Sequence, residues 1–322
     1  MAVVGAGGFG RNHLRVIHEK VDAELVAVVD TDAGRAAEAA ERYGCRQSTE
    51  ISSLYGNVDA AIVAVPTMAH AETGCALLEA GIDVLVEKPI APDLVSAQRL
   101  IDTAGSNNRV LQVGHLERFN PAVQALRSIV TLPLFFEIHR LNVFSPRSLD
   151  VDVVLDLMIH DIDIILSLTG ILPEEVRASG LSILSSKVDI ANVRLAFPGG
   201  CIANLTASRV STDRVRKLRL FQPHQYVSLD YERQNAVAFT VSGDQKIGFA
   251  PLPVKNQEPL KLEVDAFADC VRTRARPLVG GEEAAKALAV SLTILDKIEE
   301  HLKVVACTLE GHAATLARFS SS

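Results

Sequence analysis

The sequence predicts an α/β fold followed by an α+β part: an N-terminal Rossmann-type, doubly wound parallel sheet, and a C-terminal open, mostly antiparallel sheet. Up to residue 118, short and nearly all-apolar runs alternate with amphipathic helical runs, as in parallel strands covered by helices on both faces. After residue 119, longer β-like runs follow one another across short turns, which indicates antiparallel pairing. We therefore divide the chain of 322 residues into domains at 1–118 and 119–322.

The parallel sheet is predicted from five apolar runs and the helical runs between them. Because these runs do not alternate with polar residues, each strand should be buried on both faces. The strand candidates are Ala2–Val4, Leu25–Val29, Ala60–Val65, Val84–Val86 and Val110–Val113. The helical candidates are His13–Glu19, Ala33–Tyr43, Ala69–Ala80 and Leu94–Ala104. Gly44, Gly81 and Gly105 follow three of these helices, where a left-handed C-cap favours glycine.

The second part begins with a helix, since Asn120-Pro121 has the pattern of an N-cap followed by proline at the first helical position. Phe197–Cys201 has the composition of a hairpin turn. The strand candidates are Leu134–Val143, Ile190–Phe197, Cys201–Arg209, Lys217–Phe221, Tyr226–Tyr231 and Ala236–Val241. The helical candidates are Val153–Leu168, Leu262–Thr273 and Glu282–Leu302.

Composition excludes several classes of function. The formal charge is −7 and the chain has no Trp, so neither nucleic acid nor an anionic membrane is an expected partner. No apolar run approaches the ~20 residues of a membrane span. The five cysteines are scattered without a C-x-x-C pair, and we find no signal-peptide pattern. We therefore expect a cytoplasmic protein without disulfides.

A glycine-rich turn predicts dinucleotide binding. Gly5-Ala6-Gly7-Gly8-Phe9-Gly10 has the pattern G-x-G-x-x-G between a strand and a helix. In this pattern the first glycine permits the tight turn, the second lets the backbone approach a pyrophosphate, and the third lets the helix pack on the strand. Asp30 ends the second strand, at the spacing of a carboxylate that binds the adenosine ribose hydroxyls. Because a carboxylate repels a 2′-phosphate, we expect NAD rather than NADP.

Two further strand ends carry polar residues at the edge where ligands of open α/β sheets bind. Pro66 and Thr67 end one strand, and His70 follows them. These residues would fit a position beside the nicotinamide of the cofactor. They would fit an ordinary turn without a ligand equally well. Glu87 and Lys88 end the next strand, and a lysine directly after an apolar run should be held at the sheet edge. The alternative for that lysine is the solvated surface position usual for its type.

Asp156, His160 and Asp163 form a polar stripe in an apolar helical segment. Their i, i+4, i+7 spacing places them on one face of the predicted helix. Carboxylates and an imidazole at this spacing are chemically able to bind a divalent ion, and a solvated helix face is the simpler alternative. Since no third segment supplies further ligands, we predict no metal site.

These motifs together resemble the glucose–fructose oxidoreductase/inositol dehydrogenase (Gfo/Idh/MocA) family. The resemblance rests on G-A-G-G-F-G at 5–10, E-K-P at 87–89, R-F-N-P at 118–121 and D-x-x-x-H at 156–160. It continues to the helix around Leu262–Val271 and the segment Pro277–Ala285. Within the family, the segments 114–121 and 156–163 are most similar to the UDP-N-acetylglucosamine 3-dehydrogenases, which make a 3-keto nucleotide sugar.

The resemblance implies an NAD-dependent dehydrogenase acting on a secondary hydroxyl of a sugar, with Lys88, Asp156 and His160 as catalytic residues. His160 is the natural proton acceptor because the imidazole pKa lies near neutrality, and Asp156 would orient it. Lys88 would stabilise the developing charge on the alcohol oxygen, or would itself be the base; the sequence does not choose. The expected cofactor-binding residues are Gly5, Gly7, Gly8, Phe9, Gly10, Asp30, Pro66, Thr67, His70, Glu87, Lys88 and Asn120.

The expected substrate is a small sugar or nucleotide sugar. The substrate-binding residues expected are Lys88, Arg118, Arg147 and His160, and Arg140 and Arg209 are further candidates for a pyrophosphate contact. We also expect a homodimer or homotetramer, since one face of an open apolar sheet needs cover. Two alternatives stay open: a dehydrogenase of another sugar or an inositol-like polyol, and a non-catalytic NAD-binding regulator. A short-chain dehydrogenase is excluded, since no Tyr is followed by Lys four residues later.

Overall fold

The computed structural model describes residues 1–20, 22–144, 151–242 and 246–320. They form two compact units. The first unit comprises Met1–Ala125 and Val254–Leu288, and the second comprises Leu126–Pro253 and Ala289–Ser322. Residues 254–288 therefore pack with the N-terminal part of the chain, although a long stretch of sequence separates them from it.

The first unit contains a six-stranded sheet in which every strand pair is parallel. The strand order is β3-β2-β1-β4-β5-β6, and the sheet is therefore doubly wound, as the sequence predicts. The strands are β1 (Ala2–Val4), β2 (Ala27–Val29), β3 (Arg46–Ser48), β4 (Ala60–Val63), β5 (Asp83–Glu87) and β6 (Leu111–Gly114). The helices are α1 (Gly8–Lys20), α2 (Ala33–Tyr43), α3 (His70–Glu79), α4 (Leu94–Ser106) and α7 (Pro259–Thr273).

The core of the first unit lies between this sheet and its helices. Val3, Ile62 and Leu85 of the strands are fully buried against Leu14 of α1 and Phe267 of α7. Burying a large apolar side chain contributes roughly 1.5–3 kcal/mol, so α7 is an integral part of this core. The apolar strands buried on both faces confirm the prediction of a Rossmann-type sheet.

The second unit contains an eight-stranded, mostly antiparallel sheet, as predicted. Its order is β14-β13-β12-β11-β7-β10-β9-β8, and among the described strands of this second sheet only β7 and β10 pair in parallel. The strands are β7 (Phe135–Val143), β8 (Glu175–Leu181), β9 (Ile190–Ala196), β10 (Ile202–Ser211), β11 (Val215–Gln222), β12 (Gln225–Asp230), β13 (Asn235–Val241) and β14 (Ile247–Pro251). Its helix α6 (Ile159–Thr169) is preceded by a π-helical turn at Val154–Met158.

Two helices have residues in both units: α5 (Pro121–Arg127) and α8 (Gly281–Ser320). Some sequence expectations are wrong in detail. The strands β3, β8 and β14 were not expected, and Gly105 lies inside α4, whose C-cap is Asn107. Among the described residues, no helix has both the length and the apolar character needed to cross a bilayer.

Candidate active site

The glycine-rich turn joins β1 to α1 in the first unit. Gly5 has φ +99°, and a Cβ there would lie 2.4 Å from the Ala64 carbonyl oxygen. A Cβ on Gly10 would lie 1.8 Å from the Gly5 carbonyl oxygen. Gly7 and Gly8, in contrast, have open space within 4 Å of the position of a Cβ. Gly5 and Gly10 are therefore required by the fold, whereas Gly7 and Gly8 leave one side of the turn open, which fits the approach of a pyrophosphate.

Asp30 lies at the carboxyl end of β2 and is only 6 % exposed. Its Oδ2 accepts a hydrogen bond from the Ala6 N–H at 2.7 Å, and its Oδ1 accepts one from the Asp32 N–H at 2.8 Å. The Arg35 guanidinium also binds this carboxylate, with Nη2 2.9 Å from Oδ1. Burial alone would raise the pKa of Asp30, but the hydrogen bonds from Arg35, Asp32 and Ala6 outweigh it and lower that pKa. The ionised carboxylate beside the glycine turn fits the ribose end of a dinucleotide.

The strand ends after β4 and β5 are tied together by His70. Its Nδ1 lies 2.9 Å from the Pro89 carbonyl oxygen and its Nε2 3.0 Å from that of Val65. The ring is 1 % exposed, and this burial lowers its pKa. Since both ring nitrogens contact backbone, His70 supports the two loops, and the expectation that it contacts the cofactor directly needs correction. Thr67, in contrast, is part-exposed at the sheet edge.

Glu87 ends β5 directly before Lys88, and its carboxylate is fixed by a histidine that the sequence interpretation missed. His13 Nε2 of α1 lies 2.6 Å from Glu87 Oε1, and the Lys88 N–H lies 3.3 Å from Glu87 Oε2. His13 and Glu87 are buried, whereas Lys88 is half-buried. Lys88 therefore directly follows an anchored residue at the end of β5, and its place beside cofactor and substrate stays a prediction.

A second missed residue, Glu263 of α7, completes a buried cluster with His13 and Glu87. The three side chains each place a ligand-type atom within 4.8 Å of the other two. Glu263 is completely buried, and this burial, together with the charge of Glu87, raises its pKa well above the usual value. A carboxyl group held neutral is a poor cation ligand, and 2.6 Å between His13 and Glu87 is a hydrogen-bond distance. We therefore interpret His13 and Glu87 as a hydrogen-bonded pair, with Glu263 beside them as a buried neutral acid.

The second unit carries the other expected catalytic residues. Asp156 lies within the π-helical turn at Val154–Met158, and His160 lies in the first turn of α6. Both side chains are half-buried. Asp163 is only 2 % exposed, so it is more deeply buried than the other two, and a shared helix face for the three residues stays a prediction. Single π-turns are frequent at functional sites because they shift the direction of the side chains that follow.

The arginines proposed for substrate differ in position. Arg140 is 2 % exposed and binds Asp161, and its guanidinium carbon lies 4.9 Å from the centre of the Tyr231 ring. Arg209 is 6 % exposed, donates to the Val151 carbonyl and faces Asp189. Both are therefore internal, and the idea that they meet a pyrophosphate is not supported. Arg147 lies outside the described residues.

Arg118 and Asn120 belong to the segment before α5. Arg118 is 7 % exposed, and its Nη2 lies 3.4 Å from the Leu278 carbonyl oxygen. Asn120 Oδ1 accepts a hydrogen bond from the Ala122 N–H at 3.1 Å, and its Nδ2 donates to Glu117 at 3.1 Å. Asn120 is therefore the N-cap that the sequence also suggested. Contact of either residue with cofactor or substrate stays a prediction.

A doubly wound sheet with this glycine turn and an acidic residue at the end of β2 defines an NAD-binding oxidoreductase domain. Residues 1–115 match the family described as "Oxidoreductase family, NAD-binding Rossmann fold", and residues 135–223 match "GFO/IDH/MocA C-terminal domain". The chain belongs to the Gfo/Idh/MocA family of oxidoreductases, and it is a dehydrogenase acting on CH–OH groups.

Individual relatives cover almost the whole chain. It is 33 % identical to UDP-N-acetylglucosamine 3-dehydrogenase of Acidithiobacillus ferrooxidans over 94 % of this chain and 97 % of that one. A solved structure of that enzyme superimposes with a TM-score of 0.89, covering 94 % and 98 % of the two chains. Inositol 2-dehydrogenase of Rhizobium meliloti is 24 % identical over 94 % of this chain and 97 % of its own.

Proposed function

We propose that the protein oxidises the 3-hydroxyl of UDP-N-acetylglucosamine to a 3-keto sugar with NAD as the electron acceptor. The observation that carries this proposal is the 33 % identity to a UDP-N-acetylglucosamine 3-dehydrogenase over nearly the full length of both chains. Two inositol dehydrogenases that cover as much of the chain are less similar, at 24 % and 26 % identity. An inositol-like polyol is therefore the second candidate substrate.

The family resemblance and the chemistry of each side chain support the roles that we assign to three residues. Bound NAD supplies the hydride acceptor. An imidazole nitrogen of His160 takes the hydroxyl proton, and Asp156, one turn earlier, orients the ring and stabilises its charged form. The ammonium of Lys88, whose backbone N–H lies 3.3 Å from the Glu87 carboxylate, stabilises negative charge on the alcohol oxygen. Lys88 as the base is the alternative, and both assignments make the two residues essential.

The test is a spectrophotometric assay of NADH formation with UDP-N-acetylglucosamine, other UDP-sugars, free N-acetylglucosamine and myo-inositol. We expect turnover with UDP-N-acetylglucosamine, and loss of it in Lys88→Met and His160→Ala with NADH binding retained. Lys286→Met is the matched control, because it removes an exposed lysine from α8 of the first unit. Turnover of myo-inositol alone contradicts the nucleotide-sugar assignment. Unchanged biological activity of Lys88→Met favours the non-catalytic regulator.

We propose a homodimer or homotetramer formed through the sheet of the second unit. One face carries an aromatic row in which each ring contacts the ring on the next strand, with centroids 4.7–5.8 Å apart. Phe249 at its end is 65 % exposed, and a row of this length on an open face is typical of an association surface. The members of the row are Phe135, Phe221, Tyr226, Phe239 and Phe249.

Light scattering at micromolar concentration tests this assembly. Tyr226→Lys should lower the molar mass towards that of a monomer, and Val95→Lys, at an exposed apolar residue of the first unit, should not. A monomeric wild-type protein contradicts the proposal. We also propose a cytoplasmic location, since all five cysteines are free thiols, as a reducing compartment would keep them.

A further inference from the structure

The segment that leads into the π-helical turn Val154–Met158 is fixed to the sheet of the second unit. The Val153 N–H donates to the Val188 carbonyl at 3.0 Å, and the Val188 N–H donates to Asp152 Oδ1 at 2.9 Å. Val188 lies two residues before β9, so these hydrogen bonds join the entry of the turn to the beginning of that strand. The segment 151–153 is therefore held against the sheet before the π-helical turn begins.

Arg209 joins the same entry to the end of β10. Its Nη2 donates to the Val151 carbonyl and lies 3.5 Å from the Val188 carbonyl oxygen, and its backbone N–H donates to the Asp189 carbonyl at 3.0 Å. The Asp189 carboxylate, which lies 3.7 Å from Arg209 Nε, balances the charge of the guanidinium. Because a buried charge is costly unless it is paired and hydrogen-bonded, these contacts stabilise Arg209 in the interior. The arginine therefore connects β10 to the backbone of the segment 151–153.

A second buried arginine holds the other end of the segment. Arg140 of β7 binds Asp161 in the first turn of α6, with Nε 2.7 Å from Oδ2. Asp156 and His160 therefore lie between two points that are tied to the same sheet. A π-helical turn closes its hydrogen bond one residue later than an α-helical turn, so the place where it begins determines the direction of the side chains that follow. A shift of the backbone at Val151 would consequently change the direction of both side chains.

We propose that Arg209 is a positioning residue for the dehydrogenase reaction, because it holds the Val151 backbone and thereby sets the direction of Asp156 and His160. This inference rests on the catalytic roles proposed above for those two residues. It replaces the expectation that Arg209 contacts the pyrophosphate of a nucleotide sugar. The two roles predict different kinetics, since loss of a pyrophosphate contact raises KM, whereas loss of positioning lowers kcat at an unchanged KM.

The experiment measures kcat and KM for the sugar of the assay panel that wild type oxidises, together with the dissociation constant of NADH, in Arg209→Met and Arg209→Lys. We expect Arg209→Met to lower kcat at least about tenfold, because a misplacement of about 1 Å can cost about a hundredfold. KM and the NADH dissociation constant should stay within about threefold of wild type. Arg209→Lys keeps the charge and a donor for the carbonyl groups, so it should recover part of kcat. Val227→Ala, fully buried in β12, is the control for a general loss of stability and should leave kcat unchanged.

A milder pair of variants covers the case in which Arg209→Met does not fold. Asp152→Ala removes the acceptor of the Val188 N–H, and Asp152→Asn keeps it. We expect kcat to fall in Asp152→Ala and to stay close to wild type in Asp152→Asn; wild-type kcat in both would contradict the need for a fixed entry. Hydrogen–deuterium exchange of residues 151–160 supplies a readout that needs no substrate. It should be faster than in wild type in Arg209→Met and Asp152→Ala, and unchanged in Val227→Ala.

Arg209→Met with wild-type kcat, or with a rise in KM that accounts for its whole loss of kcat/KM, would overturn the proposal. So would an equal fall of kcat in Val227→Ala, or unchanged exchange of residues 151–160 in Arg209→Met. Failure of the proposed function is recognised separately, because His160→Ala and Asp156→Asn would then retain turnover. If those two variants lose turnover and Arg209→Met does not, the catalytic assignment stands and only the positioning role is wrong.

Discussion

Arg140 and Asp161 form a bidentate ion pair inside the second unit. Arg140 Nε donates to Oδ2 at 2.7 Å and Nη2 to Oδ1 at 2.8 Å, with 2 % of each side chain exposed. Asp161 directly follows His160 in α6, and Arg140 belongs to the interior strand β7. The pair therefore fixes the first turn of the helix that carries the proposed base to the middle of the sheet.

Breaking this pair should destabilise the protein strongly. Arg140→Met and Asp161→Asn each leave a buried polar or charged group without its partner, and we expect a loss of about 3–5 kcal/mol in the free energy of unfolding. The double variant Arg140→Met/Asp161→Leu should recover part of this loss, because it removes both charges. Urea denaturation measures the effect. Lys297→Met is the control, since its pair with Glu300 is exposed and worth less than about 1 kcal/mol.

Local patterns explain which parts of the fold and site could be predicted. The glycine turn, Asp30 and the segment around Lys88 could be predicted because each is a short sequence pattern with a known chemical role. β3 was missed because Arg46-Gln47-Ser48 is polar, and its strand conformation comes from pairing with β2 at the sheet edge. Gly105 was misread as a cap because an exposed helix tolerates glycine with open space around it.

The features that the sequence did not predict are contacts between residues far apart in the chain. His13 and Glu263 come from α1 and α7. No sequence pattern around either residue indicates that it lies close to Glu87. Arg140 was a candidate for a pyrophosphate contact because it is cationic, and no spacing argument separated it from the other arginines of the second part. Its partner Asp161 is identifiable only after β7 and α6 have been packed together. Such contacts depend on topology, which no local pattern encodes.

Asp189 should contribute an acid-sensitive part of the stability. Its buried carboxylate accepts hydrogen bonds from the N–H groups of Ile183, Leu184 and Ser185 and from the Ser185 hydroxyl. Burial opposes ionisation, but these hydrogen bonds outweigh it and lower the pKa of Asp189 to about 2. The unfolded value is about 3.9, so the contribution is present above pH 4 and is lost as the pH falls through 2.

Asp189→Asn removes that contribution. We expect the variant to be less stable than wild type by about 2.6 kcal/mol at pH 6, because each pKa unit of the shift from about 3.9 to about 2 corresponds to about 1.4 kcal/mol. The difference should shrink as the pH falls from 4 to 2. Urea denaturation at pH 6 and pH 3 measures it. Asp213→Asn, at an exposed residue, is the comparison, and an equal deficit for Asp189→Asn at both pH values would contradict the assignment.

Glu263 should make the stability depend on pH in the direction opposite to that of Asp189. Its folded pKa is raised, so the folded state holds a proton that the unfolded state has released, and stability falls as the pH rises above the unfolded value of about 4.3. Glu263→Gln keeps the shape of the side chain without the proton. We expect its stability to exceed that of wild type at pH 8 and the difference to diminish towards pH 5. Thermal melts across this range test it, with the exposed Glu282→Gln as control; parallel curves for wild type and Glu263→Gln would refute the neutral-acid interpretation.

Gly→Ala substitutions in the glycine turn should distinguish a glycine that the fold requires from one that the cofactor requires. Gly10→Ala places a Cβ 1.8 Å from the Gly5 carbonyl oxygen, so it should lose stability, by about 1–3 kcal/mol, together with NADH binding. Gly7→Ala has no protein atom within 4 Å of its new Cβ, and it should melt like wild type. Its methyl group would nevertheless meet a pyrophosphate in the turn, so we expect NADH affinity to fall about tenfold or more, since a charged group would lose its backbone hydrogen bonds. Gly105→Ala in α4, where a Cβ would also meet open space, is the control. It should lower neither the thermal stability nor the NADH affinity. Full NADH affinity in Gly7→Ala would place the pyrophosphate away from this turn.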